Sequence, residues 1–227
     1  MKRKIISCKV YKPYVEVLQE KHDINLDIVW IDIKQHDNPV LLGETIQHEI
    51  DQATSYDQIV LLYGLCGNAI VNLKSRGAPL ILIRAHDCCS VLLGSKKRHR
   101  ELFKENFSRP WVCESYEIEN REHYSKKSPE YLDFIRLYGQ DNADYLISIL
   151  TYQHNDMPYY ITFDSDTDIH YLTKSSQRYH VISGDLSIIE SILLGVYDQT
   201  NTIVLYENEK IKVLYDLDEV ITTEDDN

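Results

Sequence analysis

The sequence predicts an α/β fold: a doubly wound, mainly parallel sheet with helices on both faces and a C-terminal hairpin. Two observations predict it. Short apolar runs of strand length alternate along the chain with segments in which apolar residues recur at helical spacing. The apolar runs contain few polar positions, which is typical of parallel strands that helices bury on both faces.

The first half of the chain supplies four such strands, each followed by a helical segment. The predicted strands are 4–8, 26–33, 58–64 and 80–84, and the predicted helices are 12–22, 39–50, 68–76 and 88–107. Asn38 and Pro39 form a helix start, a capping side chain followed by proline at the first helical position. Gly77 supplies the left-handed residue with which helices often end.

The second half begins with an irregular segment, residues 108–128. The elements predicted after it are helices 129–138, 142–153 and 186–196, strands 158–164 and 179–183, and a hairpin of 202–207 with 210–215. We expect a single α/β domain over residues 1–221, with a cysteine-bearing half (1–115) and a C-terminal half (116–221). The acidic, polar residues 222–227 predict a disordered tail.

Composition and charge argue against several classes of function. A formal net charge of -12 disfavours nucleic acid and anionic membrane as partners, because both require a basic surface. No apolar run approaches the roughly 20 residues of a membrane span. The amino terminus lacks the long apolar stretch of a signal peptide, and the five cysteines contain no CxxC pair, so we expect a cytoplasmic protein without disulfides.

Three of the five cysteines follow predicted strands. Cys8 ends the first strand, Cys66 follows the third, and Cys88 follows the fourth. Ligands of open α/β sheets bind outside the carboxyl ends of the strands, so three thiols there predict a soft-metal or thiol-chemistry site. Gly64 and Gly67 let the backbone turn beside Cys66, and a helix amino terminus there would favour its thiolate.

The segment from Arg84 to Cys88 is the densest polar cluster of the chain. His86 is a candidate ligand or proton donor, and Arg84 a candidate for balancing thiolate charge or holding an anionic substrate. Asp87 could orient His86, although a helix cap is the simpler interpretation of its position. Cys89 is expected to point into the helix core, and Cys113 to be structural or a distant fourth candidate.

These residues resemble the family called domain of unknown function 1638, found mostly in methanogens and other anaerobes. The similarity is carried by residues 63–68 (YGLCGN), by Arg84 with 86–88 (HDC), by 92–95 (LLGS), by Cys8, Trp111 and Glu114, and by 184–185 with 193–195. Cys89 and the pair at 109–110 (RP) depart from the family pattern. The resemblance implies a role beside corrinoid-dependent methyl transfer, because genes of this family tend to occur near such systems.

Three functional hypotheses follow. In the first, Cys8, Cys66 and Cys88 hold a [4Fe-4S] cluster with one open iron, which acts on a small-molecule substrate by desulfuration, dehydration or a redox accessory step. In the second, the same cysteines bind zinc and His86 completes the site. In the third, the chain is a non-catalytic accessory protein of a corrinoid methyl-transfer system.

The metal hypotheses carry a geometric expectation. If strands one, three and four lie side by side at ~4.8 Å, their loops can bring the three sulfurs within about 7 Å of one another. We expect His86 and Arg84 at the same edge.

Overall fold

The computed structural model describes residues 1–106, 109–118, 129–150, 157–165, 170, 172–173, 178–214 and 219–225. The strands are β1 (Arg3–Cys8), β2 (Asp27–Ile31), β3 (Gln58–Leu62), β4 (Leu80–Ile83), β5 (Trp111–Cys113), β6 (Tyr159–Thr162), β7 (His180–Ser183), β8 (Thr202–Leu205), β9 (Glu209–Val213) and β10 (Ile221–Asp225). The helices are α1 (Lys12–His22), α2 (Pro39–Gln52), α3 (Cys88–Leu92), α4 (Lys96–Phe103), α5 (Glu114–Ile118), α6 (Pro129–Tyr138), α7 (Gln140–Leu150) and α8 (Ser187–Leu193). Within these ranges no helix is both long and apolar enough to cross a bilayer.

The chain folds as two compact units. The first unit contains Met1–Glu105 and Gly184–Asn227, and the second contains Asn106–Ser183. This division differs from the expected halves at residue 115, because the C-terminal segment returns to the first unit, where β8 pairs with β4. The second unit contains a parallel sheet in the order β5-β6-β7 and the helix pair α6 and α7, which buries Tyr131, Ala143 and Ile147.

The sheet of the first unit confirms the predicted α/β class. Its order is β2-β1-β3-β4-β8, with β1 to β4 parallel and β8 antiparallel to β4. The chain moves from β1 to β2 in one direction and from β2 to β3 in the other. Since crossovers between parallel strands are right-handed, this reversal places α1 and α2 on opposite faces. The strands β3 and β4 are almost wholly buried, as their apolar sequences predict.

The predicted start of α2 is also confirmed. The side chain of Asn38 accepts a hydrogen bond from the backbone nitrogen of Leu41, at 3.2 Å, and Pro39 occupies the first turn. On the inner side of the helix Leu42, Ile46 and Ile50 are buried at 1% exposure or less. The apolar spacing in the sequence therefore identified the face that packs on the sheet.

The helix predicted over 68–76 is wrong. Residues 66–72 form turns, and Cys66, Gly67 and Asn68 have φ values of 45°, 68° and 70°. A right-handed helix requires negative φ, so it cannot begin at these residues. The turns lie against α2: a Cβ on Gly43 would stand 2.6 Å from the carbonyl oxygen of Ala69.

The long helix predicted over 88–107 is divided into α3 and α4. Gly94 has φ +67°, and a Cβ there would stand 2.5 Å from the side chain of Asp185. Ser95 then caps α4 by accepting a hydrogen bond from the backbone nitrogen of Arg98 at 3.2 Å. The close contact with Asp185 explains why the chain turns at this glycine.

The C-terminal hairpin is present, but other strands form it. β9 pairs with β10 in antiparallel register, whereas β8 joins the main sheet beside β4. The disordered tail expected from residue 222 is therefore corrected, because Ile221–Asp225 is a strand. Ile221 is fully buried, and Glu224 forms ion pairs with Lys212 at 3.0 Å and Lys210 at 3.7 Å. Residues 226–227 lie outside the described range.

Candidate functional site

The three strand-end cysteines belong to three neighbouring parallel strands of the first unit. Cys8 is the last residue of β1, Cys66 follows β3 by four residues, and Cys88 is the first residue of α3, after β4. The expectation that these strands lie side by side is confirmed. The strand order reverses between β1 and β3, and such a reversal marks the crevice in which doubly wound folds bind ligands.

Two buried tyrosines at this edge, Tyr11 and Tyr63, have raised pKa values to which all three thiols contribute. Burial, with the thiols of Cys88, Cys66 and Cys8, raises the pKa of Tyr11 well above its usual value. Burial, with the thiols of Cys8, Cys66 and Cys88, does the same to the pKa of Tyr63. Since electrostatic effects on a pKa come from nearby groups, all three cysteines act on the same small region.

The loop that carries Cys66 has a strained backbone and is hydrogen-bonded to the loop after β4. Positive φ is uncommon for a residue with a Cβ, yet both Cys66 (45°) and Asn68 (70°) adopt it. Backbone nitrogens of this loop donate to the loop after β4: Leu65 to the carbonyl of Ala85 at 2.9 Å, and Cys66 to that of His86 at 3.3 Å. Non-glycine residues are held in such conformations when the surrounding structure fixes them, often at functional sites.

The thiol of Cys66 is protonated at neutral pH in the metal-free protein. The residue as a whole is half-buried, but burial of its thiol is the main cause that raises its pKa to about 12, followed by Cys8 and Asp87. A hydrogen bond with the backbone of Gly64 acts in the opposite direction. The expected helix amino terminus is not formed here, so the expectation that it favours the thiolate is corrected.

His86 and Asp87 lie between β4 and α3. Burial is the main cause that lowers the pKa of His86, so its imidazole is neutral at pH 7. Its Nε2 atom is buried and has no hydrogen-bond partner among the described residues. A neutral imidazole with an unsatisfied nitrogen is able to accept or donate a hydrogen bond to a bound group.

Asp87 caps α3, as the simpler interpretation of the sequence predicts. Its Oδ1 accepts hydrogen bonds from the nitrogen and the hydroxyl of Ser90, both at 2.9 Å. Its Oδ2 lies 3.5 Å from Nε2 of His99 on α4. Burial opposes ionisation of this carboxyl, but the bonds with His99 and Ser90 outweigh it and lower the pKa of Asp87.

The structure assigns Arg84 to the C-terminal segment. Its guanidinium donates to the carbonyl oxygens of Ile221 at 2.6 Å, Thr202 at 3.3 Å and Glu219 at 3.3 Å. These hydrogen bonds connect the end of β4 to β8 and to the start of β10. The structure therefore gives Arg84 a structural role at these strands, and the role beside the thiols that its position suggested stays a prediction.

All five cysteines lie in described parts of the chain, and none of them forms a disulfide. Cys89 is fully buried within α3, as expected. Cys113 is fully buried too, but it ends β5 of the second unit, whereas the other three candidates belong to the first unit.

Among the described residues, no group of three or more His, Cys, Asp or Glu side chains has the spacing to hold a single metal ion. This finding bears differently on the two metal hypotheses. A single ion with bonds of ~2.3 Å draws all its sulfur ligands together. A cluster binds each thiolate to a different iron, so its ligands stand farther apart.

An open groove of about 490 Å³ lies next to the Cys66 loop, and its walls include Pro39, Gly43, Glu44, Asn68 and Asn72. Its volume is within the range of small-molecule sites. A Cβ on Gly67 would stand 2.9 Å from the ring of Pro39, so the first turn of α2 is in contact with this loop.

Three further residues belong to this edge that their sequence positions did not identify: Tyr11, Tyr63 and His99. Tyr11 follows Cys8 by three residues in a 3₁₀ turn, Lys9–Tyr11, which returns it to the end of β1. Tyr63 precedes Cys66 by three residues. That spacing is visible in the sequence, but tyrosines are common at strand ends, and the contact between His99 and Asp87 depends on the turn at Gly94.

No curated protein and no solved structure gives a significant match to the chain. A family model matches residues 30–193, which include Cys66 and Cys88 together with the loops that carry them. The chain belongs to the family described as protein of unknown function (DUF1638).

Proposed function

We propose that Cys8, Cys66 and Cys88 together hold a soft-metal centre, a [4Fe-4S] cluster, at the carboxyl edge of β1, β3 and β4. The observation that supports it is the placement of the three cysteines at the carboxyl ends of three neighbouring parallel strands, and the raised pKa values of Tyr11 and Tyr63, to which all three thiols contribute, agree with it. Thiolates select iron–sulfur clusters, zinc and copper among the metals of proteins. The proposal expects a reducing, cytoplasmic setting, in which thiols do not form disulfides.

The donor set fits such a group. The raised pKa of Cys66 means that burying several thiolates together is unfavourable without a compensating positive charge. A bound metal centre supplies that charge and displaces the thiol protons. Buried polar atoms of Tyr11, Tyr63 and His86 have no hydrogen-bond partner in the described part of the chain, so they are available to a bound group.

A cluster bound by three protein thiolates keeps one iron open and supplies Lewis-acid or redox chemistry to a small molecule. The chain contributes the surroundings. His86 is neutral and holds or accepts a proton at Nε2, while Asp87 fixes the start of α3 and so the backbone position of Cys88. Desulfuration, dehydration and redox accessory reactions suit this arrangement.

Anaerobic reconstitution with iron and sulfide tests the proposal. We expect the broad visible absorbance of a cluster, with bound iron and sulfide in the ratio of [4Fe-4S]. Cys8→Ala, Cys66→Ala and Cys88→Ala should each lose most of it. Cys113→Ala is the control, since Cys113 is a buried cysteine of the second unit and its substitution should leave the iron content unchanged. A wild-type protein that binds neither iron nor sulfide under these conditions contradicts the proposal.

Zinc is the second candidate for the same cysteines, with His86 as the fourth ligand, and it would require these side chains to move closer together than the described structure has them. His86 favours it, because its Nε2 is buried and unsatisfied among the residues described. Metal analysis of protein expressed in defined medium and handled anaerobically separates the two. Stoichiometric zinc without iron, lost in His86→Ala, would support zinc.

A non-catalytic role beside a corrinoid methyl-transfer protein is the third proposal, and it rests on the family resemblance. Affinity capture from an anaerobic host tests it. Recovery of a corrinoid protein or its methyltransferase supports this role, and their absence removes its support.

A further inference from the structure

The hydroxyls of Tyr11 and Tyr63, both in the first unit, are buried and have no hydrogen-bond partner among the described residues. Tyr11 is 0% exposed and Tyr63 is 2% exposed, and each side chain ends in a buried oxygen. A buried hydroxyl without a partner loses its bonds to water and gains none in the protein. Phenylalanine would fill the same space without that loss, so the two oxygens need an explanation.

Both hydroxyls belong to the edge that carries the cysteines. Tyr11 comes from the 3₁₀ turn after β1, and Tyr63 directly follows β3. The three thiols that act on Tyr11 are the same three that act on Tyr63. Two tyrosines from separate connections therefore bring unsatisfied oxygens to the edge at which β1, β3 and β4 end and which carries the three cysteines.

The protonation state of these phenols limits what they can bind. The ordinary pKa of a tyrosine hydroxyl is about 10, so at neutral pH both phenols keep the proton. The O–H group of a protonated phenol is a hydrogen-bond donor, so it requires an acceptor atom nearby. The thiols of the metal-free protein are weak acceptors, whereas thiolate and sulfide sulfurs carry negative charge and accept more strongly.

We infer that the hydroxyls of Tyr11 and Tyr63 donate hydrogen bonds to sulfur atoms of the centre that Cys8, Cys66 and Cys88 hold. The inference rests on the proposed function and deepens it, because it assigns the two tyrosines as residues that position the centre and tune its redox potential. Hydrogen bonds to the sulfurs of an iron–sulfur cluster are one of the means by which proteins set its potential. They stabilise the reduced, more negative cluster and raise the potential.

The inference predicts effects of opposite sign in the two forms of the protein. In the metal-free form, Tyr11→Phe and Tyr63→Phe remove an unsatisfied hydroxyl, so the melting temperature should be unchanged or higher. In the reconstituted form the same variants remove a donor, so the midpoint potential should become more negative and a chelator should extract iron several-fold faster. The double variant should show the larger shift.

Tyr160→Phe is the matched control, since Tyr160 is fully buried in the second unit. Reconstituted Tyr160→Phe should keep the wild-type potential and rate of iron loss. Melting of the metal-free variants is followed by circular dichroism. The midpoint potential is measured by an anaerobic redox titration that follows the visible absorbance of the cluster.

Each outcome decides the matter. If the metal-free Tyr→Phe variants melt well below the wild type, the hydroxyls have partners within the protein and the inference is overturned. If the loaded variants match the wild type in potential and iron loss, the inference is overturned while the proposed cluster stands. If the wild type binds no cluster, the inference and the proposed function fail together.

Discussion

Gly64 and Asp87 are in direct backbone contact. A Cβ built on Gly64 would stand 2.8 Å from the backbone nitrogen of Asp87 and 2.9 Å from its Cα and carbonyl carbon. The loop after β3 and the start of α3 are therefore as close as two main chains can pack. This contact sets the separation between the chain segments that carry Cys66 and Cys88.

Gly64→Ala is expected to push these two segments apart. The new methyl group would meet backbone atoms, which cannot move aside as a flexible side chain can, so we expect a loss of about 2 kcal/mol in the free energy of unfolding. Urea denaturation of the metal-free protein measures it. Because the same shift displaces Asp87 and Cys88, the variant should also retain less iron after reconstitution.

Gly77→Ala is the control for this variant. Gly77 has φ +98°, and a Cβ there would meet nothing within 4 Å among the described residues. It should lose roughly 1 kcal/mol through backbone strain and keep its iron. Equal iron retention in the two alanine variants would contradict the claim that the contact between Gly64 and Asp87 positions the thiols.

Alkaline pH should destabilise the metal-free protein through Cys66. Its pKa rises from 9.0 to about 12 on folding, so between these values the unfolded chain has lost a proton that the folded chain keeps. Stability is therefore fully present below pH 9 and falls as the pH rises toward 12. Tyr11 and Tyr63, whose pKa values are also raised, act in the same direction.

Urea denaturation of wild type and Cys66→Ala, measured at several pH values above neutrality, isolates this effect. The wild type should lose stability more steeply than the variant above about pH 9. Parallel curves would show that the Cys66 thiol titrates alike in both states and would contradict its raised pKa.

The parts of the fold that local signals encode could be predicted. The strands β1 to β4 are short apolar runs, and α2 begins at a capping residue and a proline whose interactions are with residues close in sequence. The break at Gly94 was not predicted, although a glycine followed by the capping Ser95 is a local signal for it; the packing against Asp185 that accompanies the break lies far along the chain. The pairing of β8 with β4, in place of the strand that follows β8 in the chain, likewise depends on tertiary packing.

The same distinction holds for the site. That Cys8, Cys66 and Cys88 follow neighbouring strands could be inferred from the alternation of elements, and their metal ligation stays a prediction. The positive φ of Cys66 could not be inferred, since contacts of the loop with α2 and with the chain after β4 impose it. Nor does a sequence show that a tyrosine hydroxyl is buried without a partner.

Substitutions of Asp87 should separate its capping role from its charge. Asp87→Asn keeps a capping oxygen for Ser90, whereas Asp87→Ala removes it and should cost about 1 kcal/mol. The pKa of Asp87 is lowered from 3.8 on folding, so its charge adds stability above that pH, and this stability is lost as the pH falls through the folded value. Wild type should therefore lose more stability than Asp87→Asn on acidification from about pH 6 to about pH 3. Identical acid profiles would contradict a role for the ion pair with His99.

Arg84→Met should loosen the C-terminal strands without affecting the cysteines. The guanidinium satisfies carbonyl oxygens of Thr202, Glu219 and Ile221, so its loss should cost about 2 kcal/mol and speed amide exchange in β8 and β10. Arg76→Met is the matched control, because Arg76 pairs with Asp51 at 3.0 Å on the surface and should change stability by less than about 1 kcal/mol. Hydrogen exchange and urea denaturation measure both variants. If Arg84→Met instead kept its stability and lost its iron, Arg84 would belong beside the thiols, and its assignment to the C-terminal strands would be wrong.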